Sequence, residues 1–423
     1  MQRIYLDNAA TTPLDSEVKQ AMEPYFGDTY GNPNSLHWFG QQARAAVDRA
    51  RETIANAIGS RFREVIFTGS ATEANNLAIR GAIMHARETF NKIADGRPMK
   101  VIVSTIEHDS ILAAVRDIEK EGVEVVRIPV DGRGFVDVQK LEAALDERTV
   151  LVSIMYANNE IGSIQPIKEI ANILKKFRER EHALPYYPLL HTDAVQAFQF
   201  LDCTVDELGV DLMTLSAHKL YGPKGIGALY ARTMNTVMHA KDNRVHMIRP
   251  RVSGGGQEFG MRSGTENVAA IAGFAKAVEL AQVHRTNEGE RLVGLQKRLW
   301  IGIQDACPEA IINGVEVDSR LRGNDRGEGG NDNTKEMTLP NILNVHVPGK
   351  KGGDLLIALD MRGIAVSSGS ACAAFSAKPS HVLMALGFTD ARAGGSLRFS
   401  FGRHTTQEDI DGAVEALRAV LRA

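Results

Sequence analysis

The sequence predicts an α/β protein: a large domain built on a parallel or mixed sheet covered by helices, followed by a smaller α+β domain. Three observations carry that prediction. From residue 64 onward, short β-rich runs alternate with longer helical patterns, a rhythm that places helices on both faces of a sheet. After about residue 260 the rhythm gives way to two long helical stretches and a second set of strands. The length of 423 residues and the 43% hydrophobic content suit two to three domains of roughly 150 residues each with a sizeable core.

The elements follow in order. Residues 64–68 (EVIFT) read as a buried strand and 71 to about 86 as a helix. Residues 101–103 form a strand, and 110–121 an amphipathic helix stopped by Gly122. Strands at 123–128 and 150–154 flank a helix at 137–146, and a helix opened by Pro166 runs to about Arg180. Two further strands end at Asp193 and Ser216. Helices are expected near 266–284 and 287–306, strands at 341–347 and 396–401, and a closing helix near 406–422. The expected organisation is an N-terminal segment (1–15) packing near the domain boundary, a large domain (16–260) and a small domain (261–423). Residues 316–336 hold only Val317 and Leu321 as apolar side chains. They cannot bury enough surface to order themselves and read as a solvated, disordered insertion, with a partner-binding loop as the alternative.

Composition narrows the function. Net charge is −3, so no global basic field attracts nucleic acid or an anionic membrane. No apolar run approaches the ~18 residues of a membrane span, and the first residues carry no apolar signal core. The three cysteines, Cys203, Cys307 and Cys372, are too few and odd for a disulfide framework. A cytoplasmic protein with individually meaningful thiols is expected.

Four strand ends carry polar groups, and in open α/β sheets ligands bind beyond the carboxyl ends of strands. In Ser216-Ala217-His218-Lys219 the lysine amine could form a Schiff base with a carbonyl cofactor; taken alone it would be a surface lysine. Asp193 ends another buried strand, 26 residues earlier. It either holds a pyridine nitrogen protonated or caps the turn that follows. Gln196 is placed to donate to a phenolic oxygen of the same ring. Gly69-Ser70-Ala71-Thr72-Glu73 opens a helix, where amides and hydroxyls make an anion site. Ser70 and Glu73 also suit a capping box. His108 is either a stacking, proton-shuttling imidazole or a structural residue. Asn158-Asn159-Glu160 follows a fourth strand. In the second domain, Arg398 on an alternating strand either clamps a carboxylate or faces solvent. Cys372 lies among small residues (SSGSACAAFSA) that suggest an exposed, reactive thiol, whereas Cys203 and Cys307 read as structural.

Taken together these motifs resemble the cysteine desulfurases of the pyridoxal 5'-phosphate (PLP) fold-type I superfamily, class V aminotransferase branch. The resemblance rests on YLDNAATTP (5–13), GNP (31–33), ATE (71–73), EH (107–108), NNEIG (158–162), HTDAVQ (191–196), SAHK (216–219), GGGQE (254–258), RSGT (262–265) and SSGSAC (367–372). It implies a mostly parallel seven-stranded sheet in the large domain. It implies that Lys219 anchors PLP covalently and serves as base, that His108 stacks on the ring, and that Asp193 and Gln196 meet the ring nitrogen and phenolic oxygen. Ala71, Thr72, Ser216 and His218 would hold the phosphate, with Thr265 reaching it from the other subunit of a homodimer. Asn159, Arg398 and Asn32 would bind the carboxylate of L-cysteine, Asn159 also bordering the cofactor. Cys372 would attack the substrate sulfur, become a persulfide and pass sulfur to an acceptor protein, an iron–sulfur scaffold or a thiolation relay. The long loop around Cys372 is like that of the nitrogenase-associated and housekeeping group. A selenocysteine lyase or a class V aminotransferase is the alternative on this scaffold. The Gly69-Ser70 order and the 316–336 insertion depart from the family pattern.

Overall fold

The computed structural model describes residues 3–90, 97–180, 186–235, 244–316, 337–369 and 379–422. Its centre is a seven-stranded sheet. In spatial order the strands are Val65–Thr68, Gly227–Ala231, Leu212–Ser216, Leu189–Asp193, Thr149–Ser153, Lys100–Ser104 and Glu124–Ile128. Gly227–Ala231 runs antiparallel to both neighbours, and every other pairing is parallel. Six of the strands are buried along their whole length, which explains their continuous apolar runs. The seventh, Glu124–Ile128, is an edge strand whose Glu124 and Arg127 remain partly or fully exposed, and edge charge discourages pairing with another chain.

The helices bury the stripes their sequences predict. Asp109–Lys120 buries Ile111, Ala114, Val115 and Ile118, and Ile167–Arg178 buries Ile167, Ile170, Leu174 and Phe177, both at helical spacing. Lys175, Lys176 and Arg178 in the last turn complement the negative helix end.

One expectation changes. The two helical stretches near 266–284 and 287–306 are a single 39-residue helix, Val268–Ala306, about 58 Å long at 1.5 Å per residue. Its first half buries Ile271, Phe274 and Val278 in the core of the large sheet. Its second half buries Leu292, Leu299 and Ile303 in a second core. Val283 to Arg291 bridges the two with no buried residue. That polar stretch reads as a break in sequence but is the solvated middle of a helix.

The second core covers a three-stranded antiparallel sheet, ordered Ile311–Ile312, Ile342–His346, Ser396–Ser400. The N-terminal strand Ile4–Tyr5 pairs with Ile364–Ala365, and Leu6 is buried in this core. From there the chain runs past the ends of the large-sheet strands: the Thr12 amide donates to the His218 carbonyl and the Asp15 amide to the Tyr221 carbonyl. No described helix is long and apolar enough to cross a membrane.

Candidate active site

The carboxyl ends of the parallel strands, the start of helix Ala71–Phe90, the N-terminal segment and Arg398 enclose a cavity of about 240 Å³. Lys219 sits in the short 3-10 turn Ala217–Lys219 that follows its strand. Its Nζ donates to the carbonyls of Ala9 and Ala10, 2.6 Å each. Gln196 Nε2 also donates to Ala9 O, at 3.0 Å. Asp193 ends the neighbouring strand and is 6% exposed. Its Oδ1 accepts from the Val195 amide (3.0 Å) and its Oδ2 from Asn75 Nδ2 (2.9 Å). The turn-capping role and a place on the cavity wall therefore coexist in one side chain.

His108 likewise does two things. It caps helix Asp109–Lys120, its Nδ1 accepting from the Ser110 amide at 3.1 Å, and it lines the cavity. A Nδ1 that accepts an amide proton leaves the neutral ring's own proton on Nε2. His218, bonded through Nδ1 to Thr11 Oγ1 at 3.1 Å, is pushed down to about 4 by burial and by the nearby Lys219 and Lys224. It is neutral at physiological pH. Below the floor, Ser153, His191 and Thr214 form a buried chain of hydrogen bonds, and burial pushes His191 down to about 3.

Ser70, Ala71 and Thr72 line the opposite end. Ser70 Oγ accepts from the Glu73 amide at 3.1 Å, while Glu73 reaches back to the Gly69 amide at 2.8 Å. Ser70 thus caps the helix as expected, and only the return arm of the box is displaced, from the Ser70 amide to that of Gly69. Arg262 Nε bonds the same carboxylate at 2.8 Å. The turn lies directly on Gly227, where a Cβ would stand 2.8 Å from the Ser70 carbonyl carbon and 2.9 Å from the Ala71 nitrogen. Ser216 pairs with Gly227 across the sheet and so lies beside this turn.

Arg398 is fully buried and faces the cavity beside Asn159. One terminal nitrogen donates to Asn159 O (2.8 Å) and the other to Asp7 Oδ1 (2.6 Å). The strand residue read as either a clamp or a solvent-facing side chain points inward.

Two expected site residues lie elsewhere in the same chain. Asn32 and Thr265 share a second, open cleft with Tyr25, Phe26 and Tyr30. Cys372 and the loop around it, like the insertion from 317 to 336, lie outside the described residues. Cys203 is buried in the large core, and burial pushes its thiol up to about 12. Such a thiol stays protonated and inert. Cys307 is half-buried behind the long helix.

The site also uses residues to which sequence reasoning gave no role. Asn75 orients Asp193, and Asp7 holds Arg398. Glu107, fully buried, accepts from Ser104 Oγ at 2.5 Å and from the Met155 amide at 2.9 Å. Burial, reinforced by the charge of Asp193, pushes it up to about 8, so it is largely protonated at neutral pH. Each stands inside or beside a quoted motif, and that adjacency was the available signal.

Comparison with known proteins gives the family. The class-V aminotransferase family model matches residues 4–311 and 327–412, leaving part of the polar insertion unmatched. The chain is 41% identical over 420 residues to the cysteine desulfurase IscS of Dictyoglomus turgidum, covering 99% of this chain and 95% of that protein. A solved NifS-like protein superposes with a TM-score of 0.82 at 34% identity, each chain covered in full. A structure described as SspA in complex with cysteine superposes with a TM-score of 0.75 at 32% identity, covering 95% of this chain and all of that one. The chain belongs to the class-V aminotransferase family of PLP-fold enzymes, in its cysteine desulfurase branch.

Proposed function

We propose that this cysteine desulfurase holds PLP in the strand-end cavity and moves sulfur from L-cysteine to Cys372, releasing L-alanine. The observation that carries the reading is the meeting of Lys219, Asp193, His108 and the start of helix Ala71–Phe90 in one cavity. The donor set fits the cofactor. A helix N-terminus laid on Gly227 offers amides and hydroxyls to a phosphate. A buried carboxylate, held by Asn75, offers a partner for a ring nitrogen, and an amine and an imidazole stand at the same cavity. When bound, PLP supplies a carbonyl that captures amines and a ring that accepts an electron pair.

The chain's own residues do the rest. Ala71, Thr72, Ser216 and His218 would hold the phosphate, His218 as a neutral donor. Asp193 would hold the ring nitrogen protonated, and Gln196 would offer its amide to the phenolic oxygen. Arg398 and Asn159 fix the substrate carboxylate. Lys219 would take the α-proton and return one to the product, and His108 would present its Nε2 proton to the cavity. The sulfur balance closes without an external oxidant. The Cys372 thiolate forms an S–S bond as the substrate's Cβ–S bond breaks. The bonding pair stays with carbon, which takes a proton and becomes the alanine methyl group. Carbon is reduced and sulfur is oxidised to the persulfide level.

The working unit is a homodimer. Thr265 and Asn32 open onto a cleft outside their own cavity, flanked by exposed Phe26, Tyr30, Trp38 and Phe39. A second copy covering this apolar surface would receive both polar residues at its site. An acceptor protein, an iron–sulfur scaffold or a thiolation relay, then takes the sulfur. Borohydride treatment of the yellow holoenzyme followed by peptide mapping tests the cofactor assignment. The account expects PLP fixed on Lys219, and a Lys219→Ala protein with at least about 10³-fold less alanine release. PLP fixed on another lysine would refute it.

A further inference from the structure

We propose that Glu160 is a positioning residue that anchors the downstream flank of the Cys372 segment and packs against its upstream flank beside the substrate site. The inference rests on the reading of Cys372 as sulfur acceptor. Residues 370–378 lie outside the described residues, but the flanks on either side are described; this one carboxylate bonds the downstream flank and lies against the upstream one.

On the downstream flank, Ser380 Oγ donates to Glu160 Oε2 at 2.6 Å in a buried contact. The next residue, His381, places Nε2 2.9 Å from the Glu107 carbonyl, directly before His108. On the upstream flank, Ser367 exchanges backbone hydrogen bonds with Arg398 at 3.1 and 2.6 Å, and its hydroxyl donates to the Gly369 carbonyl at 2.8 Å. Gly369 has φ +153°, and a Cβ there would stand 3.3 Å from Glu160 Oε2. A side chain at 369 would therefore meet both an unfavourable backbone conformation and the carboxylate.

Glu160 is itself fixed. It is 1% exposed. Its amide donates to Asn158 Oδ1 at 2.8 Å, and its carbonyl accepts from Asn344 Nδ2 at 3.1 Å. Asn158 in turn donates to Ile106 O at 3.1 Å. The residue before it, Asn159, lines the cavity and accepts from Arg398. One rigid turn thus presents the substrate-binding residue on one side and the anchor of the thiol-bearing segment on the other. Cys372 is three residues beyond Gly369, a reach of at most about 11 Å. Charge-assisted hydrogen bonds such as Ser380 to Glu160 are the stronger kind, and small misplacement of a reacting group costs on the order of 10²-fold in rate.

The test compares Glu160→Ala, Glu160→Gln, Ser380→Ala and the Glu160→Ala/Ser380→Ala double variant as PLP-loaded enzymes. Alanine formation gives kcat, and the cysteine-induced spectral change gives substrate affinity. The expected result is a loss of roughly 10- to 100-fold in kcat for Glu160→Ala and Ser380→Ala, with cysteine affinity within about twofold. The double variant should be no slower than the worse single one, as expected for two halves of one contact. Glu160→Gln keeps an acceptor oxygen and should recover most of the rate. If Glu160→Ala fails to fold, Ser380→Ala and Glu160→Gln carry the comparison. Wild-type kcat in Ser380→Ala, or equal losses in kcat and cysteine affinity, would overturn the proposal. A wild-type enzyme that forms its persulfide on another thiol would instead refute the Cys372 reading on which the proposal stands.

Discussion

Among the described residues two arginines are almost wholly buried, and each meets a carboxylate. Arg51 grips Glu258 with two parallel hydrogen bonds of 2.7 Å and also donates to Val65 O. Its guanidinium lies between the rings of Phe67 and Phe259, about 4.7 and 4.8 Å from their centroids. Both partners are 2% exposed. Arg398 meets Asp7 through a single nitrogen and borders the cavity. Asp7 keeps 19% of its side chain exposed. Both terminal nitrogens of each arginine bond to protein, but the first is bidentate to one carboxylate and roofed by aromatics, while the second divides its fork between Asp7 and the Asn159 carbonyl at the cavity wall. Burial alone does not separate a structural charge from a functional one; what separates these two is that Arg398 lines the cavity and Arg51 does not.

The sealed pair has a structural task. Glu258 Oε2 also accepts from the Phe67 amide at 2.8 Å. Glu258 and Phe259 adopt left-handed backbone, with φ +49° and +57°. The pair therefore clasps the 254–265 segment to the edge strand Val65–Thr68, and Arg262 ties the same segment to Glu73. Removing one partner of such a pair strands a buried charge and costs about 3–5 kcal/mol. Arg51→Ala should accordingly lose that much stability in denaturant titrations, the largest effect expected here. An unchanged midpoint would mean that the clasp is dispensable.

Arg398→Lys should behave in the opposite way. The ammonium keeps the charge but cannot form the planar fork. Steady-state kinetics should show KM for cysteine raised about 10- to 100-fold, with the melting temperature within a few degrees of wild type. A large stability loss with unchanged KM would place Arg398 in the same class as Arg51.

Glu107 gives the smallest effect and a signed one. Its folded pKa, about 8, lies above the ordinary carboxylate value, so between about pH 4.5 and 8 the folded state binds more protons than the unfolded state. Stability from this group is complete at low pH and lost as pH rises towards 8. Glu107→Gln preserves the oxygen that accepts from Ser104 and Met155 and removes the titration. Its melting temperature relative to wild type should rise between pH 5 and 8, by about a degree per pH unit. A flat difference would show that Glu107 is ionised in the folded protein.

The same contrast explains what could be read from the sequence. Lys219, Asp193, His108 and Arg398 were legible because each adds one chemical group to a short strand, and strand ends converge whatever joins them. The Asp7–Arg398 pair spans 391 residues and the Asn75–Asp193 bond 118. Asp7 and Asn75 stand in or beside quoted motifs, but nothing local to them names Arg398 or Asp193 as the partner. Asn32 was expected with Arg398 and lies with Thr265 instead, because a motif fixes a residue's chemistry and not which cavity it faces. The long helix Val268–Ala306 was read as two because its polar middle passes between two cores.

The central claim is that sulfur leaves cysteine for one particular thiol. The direct measurement is peptide mass mapping of the PLP-loaded enzyme after a single turnover with L-cysteine, with alanine counted in parallel. The account predicts 32 mass units, about one sulfur atom, on the peptide containing Cys372 for each alanine released. Peptides containing Cys203, buried with its thiol held protonated, and Cys307 should be unchanged. Alanine released with the extra sulfur on Cys203 or Cys307, and Cys372 unlabelled, would contradict it.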